Sequence, residues 1–244
     1  MLCDTFRTYN NMTNKFDQAS NIVETITVDG TVILAPSFLE KIYNFNPDTP
    51  DVYFHQNSLV RRVFWSRLCA ITTIITSCVM AKKSCLDLGG GSGIFLPTLS
   101  RLFRQTTLVD LDPSQARIIQ EKLLLYNCTI LEADIFDCQC GPFDCIVAAD
   151  VLEHFKDLNR IILRIKDFIA SETILITSLP TENLYYYFAR LLFNEKKPCD
   201  HYHSAAAVGR RLREHGFQNI YSVRLPSPLV PLFLITAWKH QPEY

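Results

Sequence analysis

The stretch with the clearest chemical meaning is Asp87-Leu-Gly-Gly-Gly-Ser-Gly93. An apolar run, Cys85, Leu86 and Leu88, surrounds its acid, and an apolar helical pattern begins at Ile94. We therefore predict a strand, a tight turn and a helix in succession. Glycines allow positive φ and leave no Cβ between backbone and ligand, and the helix start offers free N–H groups. This pattern predicts a site that binds a small molecule through the main chain.

The spacing of the glycines distinguishes between classes of nucleotide. The dinucleotide fingerprint Gly-x-Gly-x-x-Gly needs a small third residue, but that place holds Ile94 or Leu96 in the two registers. This weakens the hypothesis of a nicotinamide-dependent oxidoreductase. The phosphate loop of nucleoside triphosphatases is excluded, because no Gly-Lys-Ser/Thr follows. What fits is the pattern acid-x-Gly-x-Gly-x-Gly, formed by Asp87, Gly89, Gly91 and Gly93.

Carboxylates follow the next two predicted strands. Asp110 stands about 20 residues beyond the first glycine, where a carboxylate can accept both hydroxyls of a ribose. Asp112 is better placed to cap the helix that begins at Pro113. The third strand is followed by Glu132-Ala-Asp134-Ile-Phe136. Ligands of such sheets bind beyond the carboxyl ends of the strands, so we expect these acids to meet the glycine turn.

The fourth predicted strand continues into Ala149-Asp-Val-Leu-Glu-His-Phe155. With the three preceding motifs in this order, the chain from about Ser84 to Trp238 resembles the class I S-adenosylmethionine-dependent methyltransferases. The small-molecule enzymes of the ubiquinone and menaquinone type are the most similar. The resemblance implies S-adenosylmethionine as the cofactor, with its methionine end on the glycine turn and its ammonium near Asp87.

The resemblance also implies a role for each remaining site residue. Asp110 would hold the ribose and Leu111 would lie against the adenine ring. Asp134 would accept a hydrogen bond from the adenine amino group, and Ile135 would flank the ring. Asp150 would complete the cofactor site on the side of the methyl acceptor.

Methyl transfer itself chiefly requires alignment, because the sulfonium is already an activated donor. A phenol or alcohol acceptor also benefits from a general base. His154 follows the fourth strand and is the leading candidate, and His203 and His201 are the alternatives. An alternative is that His201 and His203 bind a metal with Glu153 or His154. We predict that no metal is used, and that His203 braces the loop before a helix.

The acceptor class follows from what the chain lacks and from one aromatic segment. The Asn/Asp-Pro-Pro-aromatic motif of amino-methylating enzymes is missing after the fourth strand, as is the paired-glutamate loop of protein-arginine enzymes. With these two acceptor classes set aside, we expect a small-molecule acceptor. Residues 184–193 are rich in aromatic side chains, which favours an aromatic or lipophilic acceptor, O-methylation and contact with a membrane surface. The alternative is that this segment packs on the N-terminal residues.

Alternating strands and helices predict an α/β fold, a doubly wound Rossmann-like sheet of about seven strands. It is expected to be mostly parallel, with an antiparallel C-terminal strand and a helical N-terminal cap. We place the cap at 1–83 and the methyltransferase domain at 84–244, with an insertion at 181–203. A small hairpin is expected around Asp29-Gly30, and one helix is expected to carry apolar residues from Val151 to Ile169.

Composition limits the partners and the cellular compartment. The 244 residues are 48% hydrophobic, with a net charge of −1 and nine cysteines. The sequence contains no Lys/Arg-rich run of the kind that binds nucleic acid, so we expect no nucleic-acid partner. The N-terminus has no apolar signal sequence. We expect a cytoplasmic protein with reduced cysteines that are not metal ligands. The competing hypothesis to an enzyme is a catalytically silent protein of the methyltransferase fold, acting as a binding module or subunit.

Overall fold

The computed structural model describes residues 25–43, 51–181, 201–229 and 231–241. The aromatic segment 184–193 and most of the predicted insertion lie outside the described residues. The predictions made for them therefore remain predictions.

The N-terminal segment begins with the expected hairpin. Strands β1 (Thr25–Val28) and β2 (Thr31–Leu34) pair in antiparallel register around Asp29 and Gly30, which have φ of 48° and 82°. Helices α1 (Pro36–Tyr43) and α2 (Ser58–Cys78) follow, with a 3₁₀ turn at Asp51–Tyr53 between them. The Asn57 side chain caps α2 by accepting a hydrogen bond from the Leu59 N–H at 2.9 Å.

The second part of the chain forms the predicted seven-stranded sheet. The strands are β3 (Ser84–Leu88), β4 (Gln105–Asp110), β5 (Cys128–Glu132), β6 (Phe143–Ala149), β7 (Ile169–Pro180), β8 (Phe217–Pro226) and β9 (Pro231–His240). They lie in the order β5-β4-β3-β6-β7-β9-β8, where strands β3 to β7 are parallel and β9 is antiparallel to both of its neighbours. The connecting helices are α3 (Leu96–Leu102), α4 (Ser114–Lys122), α5 (Leu158–Lys166) and α6 (Ala205–Glu214).

The helix predicted from Val151 to Ile169 was wrong at both ends. A 3₁₀ turn at Leu152–His154 comes first, and the backbone is extended at Phe155. Asp157 then caps α5 by accepting from the N–H groups of Asn159 and Arg160 at 3.0 and 3.2 Å. Such a cap starts a new helix, and Ile169 already belongs to β7. The break leaves residues 150–157 as a loop at the carboxyl end of β6.

Alternating side chains divide the core between the two faces of the sheet. On one face Cys85 packs with the hairpin, α1 and α2. On the other, Leu86 packs with α5 and α6. The described N-terminal residues therefore share a core with the sheet, and the domain boundary at 83 stays a prediction. Within the described residues, no helix is both long and apolar enough to cross a membrane.

Candidate functional site

The predicted site lies where the strand order reverses. The chain runs outward from β3 to β4 and β5, and then returns to the other side of β3 with β6. The loops after these strands are joined by backbone hydrogen bonds. Gly89 N–H donates to the Val109 carbonyl at 2.8 Å, and Ala133 N–H donates to the Asp110 carbonyl at 3.0 Å. Such a reversal point is where α/β sheets bind their ligands.

The glycine loop combines close packing with an open backbone. A Cβ on Gly93 would lie 2.6 Å from the Ala116 Cβ, so this glycine permits contact between the loop and α4. Gly91 has φ of 48°, and a Cβ there would meet only Asp110 Oδ2, at 3.8 Å. Gly91 therefore adopts a conformation that suits glycine while its Cα faces uncrowded space. A ligand can approach the main chain at this point.

Asp87 is an acid buried beneath this loop. It is 4% exposed, and its Oδ2 has no hydrogen-bond partner among the described residues. Burial, with a smaller effect of the Asp110 charge, raises the pKa of Asp87 to about 7. A Cβ on Gly90 would lie 2.6 Å from Asp87 Oδ2 and from Leu108 Cδ1. The second glycine of the triplet is therefore needed to accommodate the acid.

Asp110 is held at the edge of the same loop. Its Oδ2 accepts the Gly91 N–H at 2.8 Å, and its Oδ1 accepts the Asp112 N–H at 2.9 Å. Each carboxylate oxygen has a further lone pair for another donor. Asp112 accepts the Ser114 N–H at 3.2 Å. The N-cap residue of α4 is Pro113, without a side-chain cap hydrogen bond, so Asp112 forms a turn before α4 rather than the predicted helix cap.

The three predicted adenine contacts on the neighbouring loops differ in accessibility. Leu111 is 73% exposed. Asp134 is also exposed, and its Oδ1 accepts the Phe136 N–H at 3.0 Å. Ile135 points into the core instead, where it is 5% exposed. Leu111 and Asp134 thus present an apolar surface and a carboxylate to solvent.

Asp150 has a partner that the sequence analysis did not predict. Arg67 of α2, 5% exposed, donates from Nη1 to Asp150 Oδ2, while the Asp150 side chain is 34% exposed. Arg67 Nη2 also donates to the Tyr53 hydroxyl at 2.8 Å. Burial alone would lower the pKa of Arg67, but the neighbouring Asp150 and Tyr53 raise this pKa above its ordinary value. Arg67 was recognisable as a lone charge on the buried face of α2, close to Phe64 and Ile71.

Aromatic rings surround this ion pair. The Arg67 guanidinium lies 4.8 Å from the Phe233 ring centroid and 5.4 Å from that of Phe64. The Tyr53 and Phe64 rings meet edge to face at 5.9 Å. Asp150 itself has φ of 55° and donates its N–H to the Ser178 carbonyl at 2.9 Å. The carboxyl ends of β6 and β7 are therefore bordered by the aromatic N-terminal segment.

The two predicted catalytic histidines lie on different segments, His154 on the loop after β6 and His203 before α6. The His154 and His201 rings meet edge to face, with centroids 4.7 Å apart, next to the buried Glu153. His203 is turned elsewhere, and its Nε2 hydrogen-bonds the Lys156 carbonyl at 3.2 Å. His203 thus braces the loop before α6, as expected. His154 lies with His201, which had been predicted as an alternative base and as a possible metal ligand.

The described residues fit the predicted cofactor. Asp87 Oδ2 is a buried acceptor beneath the loop and can receive an ammonium group. The Asp110 oxygens keep lone pairs for further donors, and Leu111 offers an exposed apolar surface for a flat ring. Gly91 leaves its Cα accessible. These features supply acceptors and an apolar surface of the kind that an S-adenosyl amino acid needs.

Comparison with protein families gives an independent result. Residues 66–222 match the family model described as a methyltransferase domain. No curated protein matches the sequence.

Solved structures share the fold at low sequence identity. The N-methyltransferase NodS from Bradyrhizobium japonicum is 17% identical, and the match covers 77% of this chain and 100% of that one, with a TM-score of 0.57. Magnesium protoporphyrin IX methyltransferase from Synechocystis is 16% identical, with coverage of 84% and 94% and a TM-score of 0.62. The 1,6-didemethyltoxoflavin-N1-methyltransferase from Burkholderia thailandensis is 15% identical, with coverage of 90% and 100% and a TM-score of 0.58.

The ion pair between Arg67 and Asp150 predicts an asymmetric response to substitution. Asp150→Asn keeps a residue that tolerates φ of 55° but leaves the more buried Arg67 without its counter-charge. We expect it to lower the free energy of unfolding by about 3 kcal/mol. Arg67→Met leaves Asp150, which is partly solvated, and should cost less. Urea denaturation of both variants provides the measurement, and an equal or reversed order would contradict this account.

Proposed function

This chain belongs to the class I S-adenosylmethionine-dependent methyltransferases, and we propose that it methylates an oxygen atom of a small aromatic or lipophilic acceptor. The observation that carries the cofactor side is the buried Asp87 carboxyl beneath an open glycine backbone. The observation that supports the acceptor side is the loop 150–157, where Asp150 and His154 follow β6. The two sides adjoin, because a Cβ on Gly89 would lie 2.7 Å from a Val151 methyl group.

Each cofactor contact in the proposal uses an atom that the fold already positions. Asp87 Oδ2 would accept the ammonium group and Asp110 the ribose hydroxyls. Asp134 would accept the adenine amino group, with Leu111 against the ring. Ile135, buried beside Asp134, would support that loop from the core. Asp150 would border the reacting methyl group on the acceptor side.

The protein's part in the chemistry is alignment and control of one proton. S-adenosylmethionine supplies an activated methyl group on a sulfonium, so displacement needs no further activation of the donor. The loop after β6 would place the acceptor in line with that group. A hydroxyl acceptor must also lose a proton, and His154 is the residue we propose to act on it.

Aromatic side chains near Asp150 favour an aromatic or lipophilic acceptor. Tyr53 and Phe64 are half-buried on the N-terminal segment, and Phe233 lies against Phe64 with ring centroids 5.3 Å apart. By their names, the structural relatives act on magnesium protoporphyrin IX, 1,6-didemethyltoxoflavin and a mitomycin. These are small molecules, and we extend that class to this chain.

Binding of S-adenosylhomocysteine tests the cofactor site. Asp110→Ala removes the acceptor proposed for the ribose. Hydrogen bonds to a charged group contribute about 1.5–3 kcal/mol, so we expect the affinity for S-adenosylhomocysteine to fall roughly 10- to 100-fold. Asp112→Ala is the matched control, since Asp112 bonds to the Ser114 N–H, and it should change the affinity by less than about threefold. Isothermal titration calorimetry gives both values. A wild-type protein that does not bind would refute the cofactor assignment.

The raised pKa of Asp87 predicts that cofactor affinity depends on pH. Below pH 7 the carboxyl group of the free protein is largely protonated, and a bound ammonium favours its ionised form. Binding should therefore release a proton, and the affinity for S-adenosylhomocysteine should rise about 10-fold from about pH 5.5 to about pH 7. Its amino group remains protonated in this range. Asp87→Asn should flatten the profile, and a slope that persists in this variant would assign the proton elsewhere.

Transfer of a labelled methyl group tests the acceptor class. The protein is incubated with methyl-labelled S-adenosylmethionine and a cell extract that has been separated by size and by solubility in organic solvent. We expect label in the small-molecule fraction that enters the organic phase, as a base-stable ether. Asp110→Ala is the control and should reduce incorporation in proportion to its lost affinity. Label in protein or nucleic acid would contradict the proposal.

A further inference from the structure

The loop after β6 brings three metal-ligating side chains together. Glu153, His154 and His201 each offer one ligand atom, and these atoms all lie within 4.8 Å of one another. In the described part of the chain, no other set of three His, Cys, Asp or Glu side chains comes as close. Ligands at about 2.0–2.2 Å from one cation stand roughly 3–4 Å apart. Small rotations of the side chains would close the remaining distance.

The backbone holds His201 beside the other two ligands. Tyr202 N–H donates to the Glu153 carbonyl at 2.8 Å, and the His203 ring bonds the Lys156 carbonyl at 3.2 Å. The 3₁₀ turn fixes the opposite side, where His154 N–H donates to the Val151 carbonyl at 3.1 Å. Two backbone segments are thus fastened on either side of the cluster. The ligands are positioned by main-chain contacts rather than by chance approach of surface side chains.

The burial and chemistry of the cluster suit a divalent cation. Glu153 is 1% exposed, and a buried carboxylate is stabilised by a cation or by hydrogen bonds. His154 and His201 are half-buried, which leaves one side of the cluster open. Two imidazoles and one carboxylate form a donor set suited to zinc or iron, with further positions for an exogenous ligand.

We propose that Glu153, His154 and His201 form a binding site for a divalent transition-metal cation such as Zn²⁺. This reverses the prediction from sequence that no metal is used, because the fold brings together residues that the sequence separates. Of the two histidines considered as metal ligands from the sequence, His201 lies in the cluster, whereas His203 bonds the Lys156 carbonyl. The cluster starts two residues beyond Val151, the residue that contacts Gly89. The cation would therefore lie at the acceptor end of the proposed cofactor site.

This position suggests what the cation would bind, a step that rests on the proposed function. The acceptor oxygen occupies an open coordination position, and its hydroxyl proton leaves to solvent because the cation lowers the hydroxyl pKa. A lone pair of that oxygen forms the new C–O bond while the C–S bond breaks. The electron pair of the broken bond stays on sulfur, which becomes a neutral thioether. With the cation bound, His154 serves as a ligand, and the proton role proposed for it above applies only to the metal-free protein.

Titration of the apo protein with Zn²⁺ in the absence of cofactor tests the metal site. We expect one Zn²⁺ per chain. His201→Ala and Glu153→Gln should each weaken binding by at least about 100-fold, since loss of an outer partner of a ligand already costs 10- to 100-fold. His215→Ala is the matched control, because His215 lies outside the cluster and bonds Asn159 Oδ1 at 3.0 Å. The affinity of this variant for Zn²⁺ should be unchanged. No saturable binding by wild type, or equal binding by His201→Ala, would overturn the proposal.

X-ray absorption at the zinc edge of the wild-type protein tests the ligands without any substitution. Two imidazoles and oxygen ligands are expected, whereas sulfur ligands would assign the ion to cysteines such as Cys138 and Cys140 and overturn the proposal. S-adenosylhomocysteine binding by each variant reports that the fold is intact. The same measurement separates the two hypotheses. Wild-type protein that binds zinc but not S-adenosylhomocysteine would refute the cofactor assignment alone. Wild-type protein that binds S-adenosylhomocysteine but not zinc would refute the metal site alone.

Discussion

The buried acid Asp87 is the constraint on which the proposed cofactor site depends. Its carboxyl group lies at the end of a central strand, and burial keeps its pKa near 7. A charge in such a place costs free energy unless a cation balances it. The neighbouring backbone must also leave room for it, which explains the glycine at position 90. The glycine loop and the acid therefore form one structural unit, in which Gly90 leaves the space that the Asp87 carboxyl group occupies.

The proposed acceptor side depends on a contact between distant segments of the chain. Arg67 enters from the N-terminal helix and pairs with Asp150, a residue with left-handed backbone at the end of β6. The buried guanidinium needs this counter-charge, and Asp150 needs the Arg67 donor to hold its side chain in one orientation. Tyr53 and two phenylalanines complete the surroundings. The N-terminal segment is thus part of the site as well as a cover for the sheet.

The loop 150–157 connects these two halves. It touches the glycine loop through Val151, holds the ion pair through Asp150, and presents Glu153 and His154 to His201. Its shape follows from Asp157, whose side chain starts a new helix and prevents a continuous one. A 3₁₀ turn at Leu152–His154 keeps Glu153 and His154 at the carboxyl end of β6, and α5 begins only after the Asp157 cap.

The sequence alone determined the features that depend on short stretches of chain. The glycine turn, the alternation of strands and helices with an antiparallel strand at the C-terminal end, and the hairpin at Asp29-Gly30 all follow from local backbone preferences and spacing. Tertiary structure decided the pairing of Arg67 with Asp150 and the meeting of His154 with His201. Both contacts join residues that are far apart in sequence and lie on different elements. Local propensities carry no information about which side chains a folded sheet brings together, so only the packed molecule reveals these contacts.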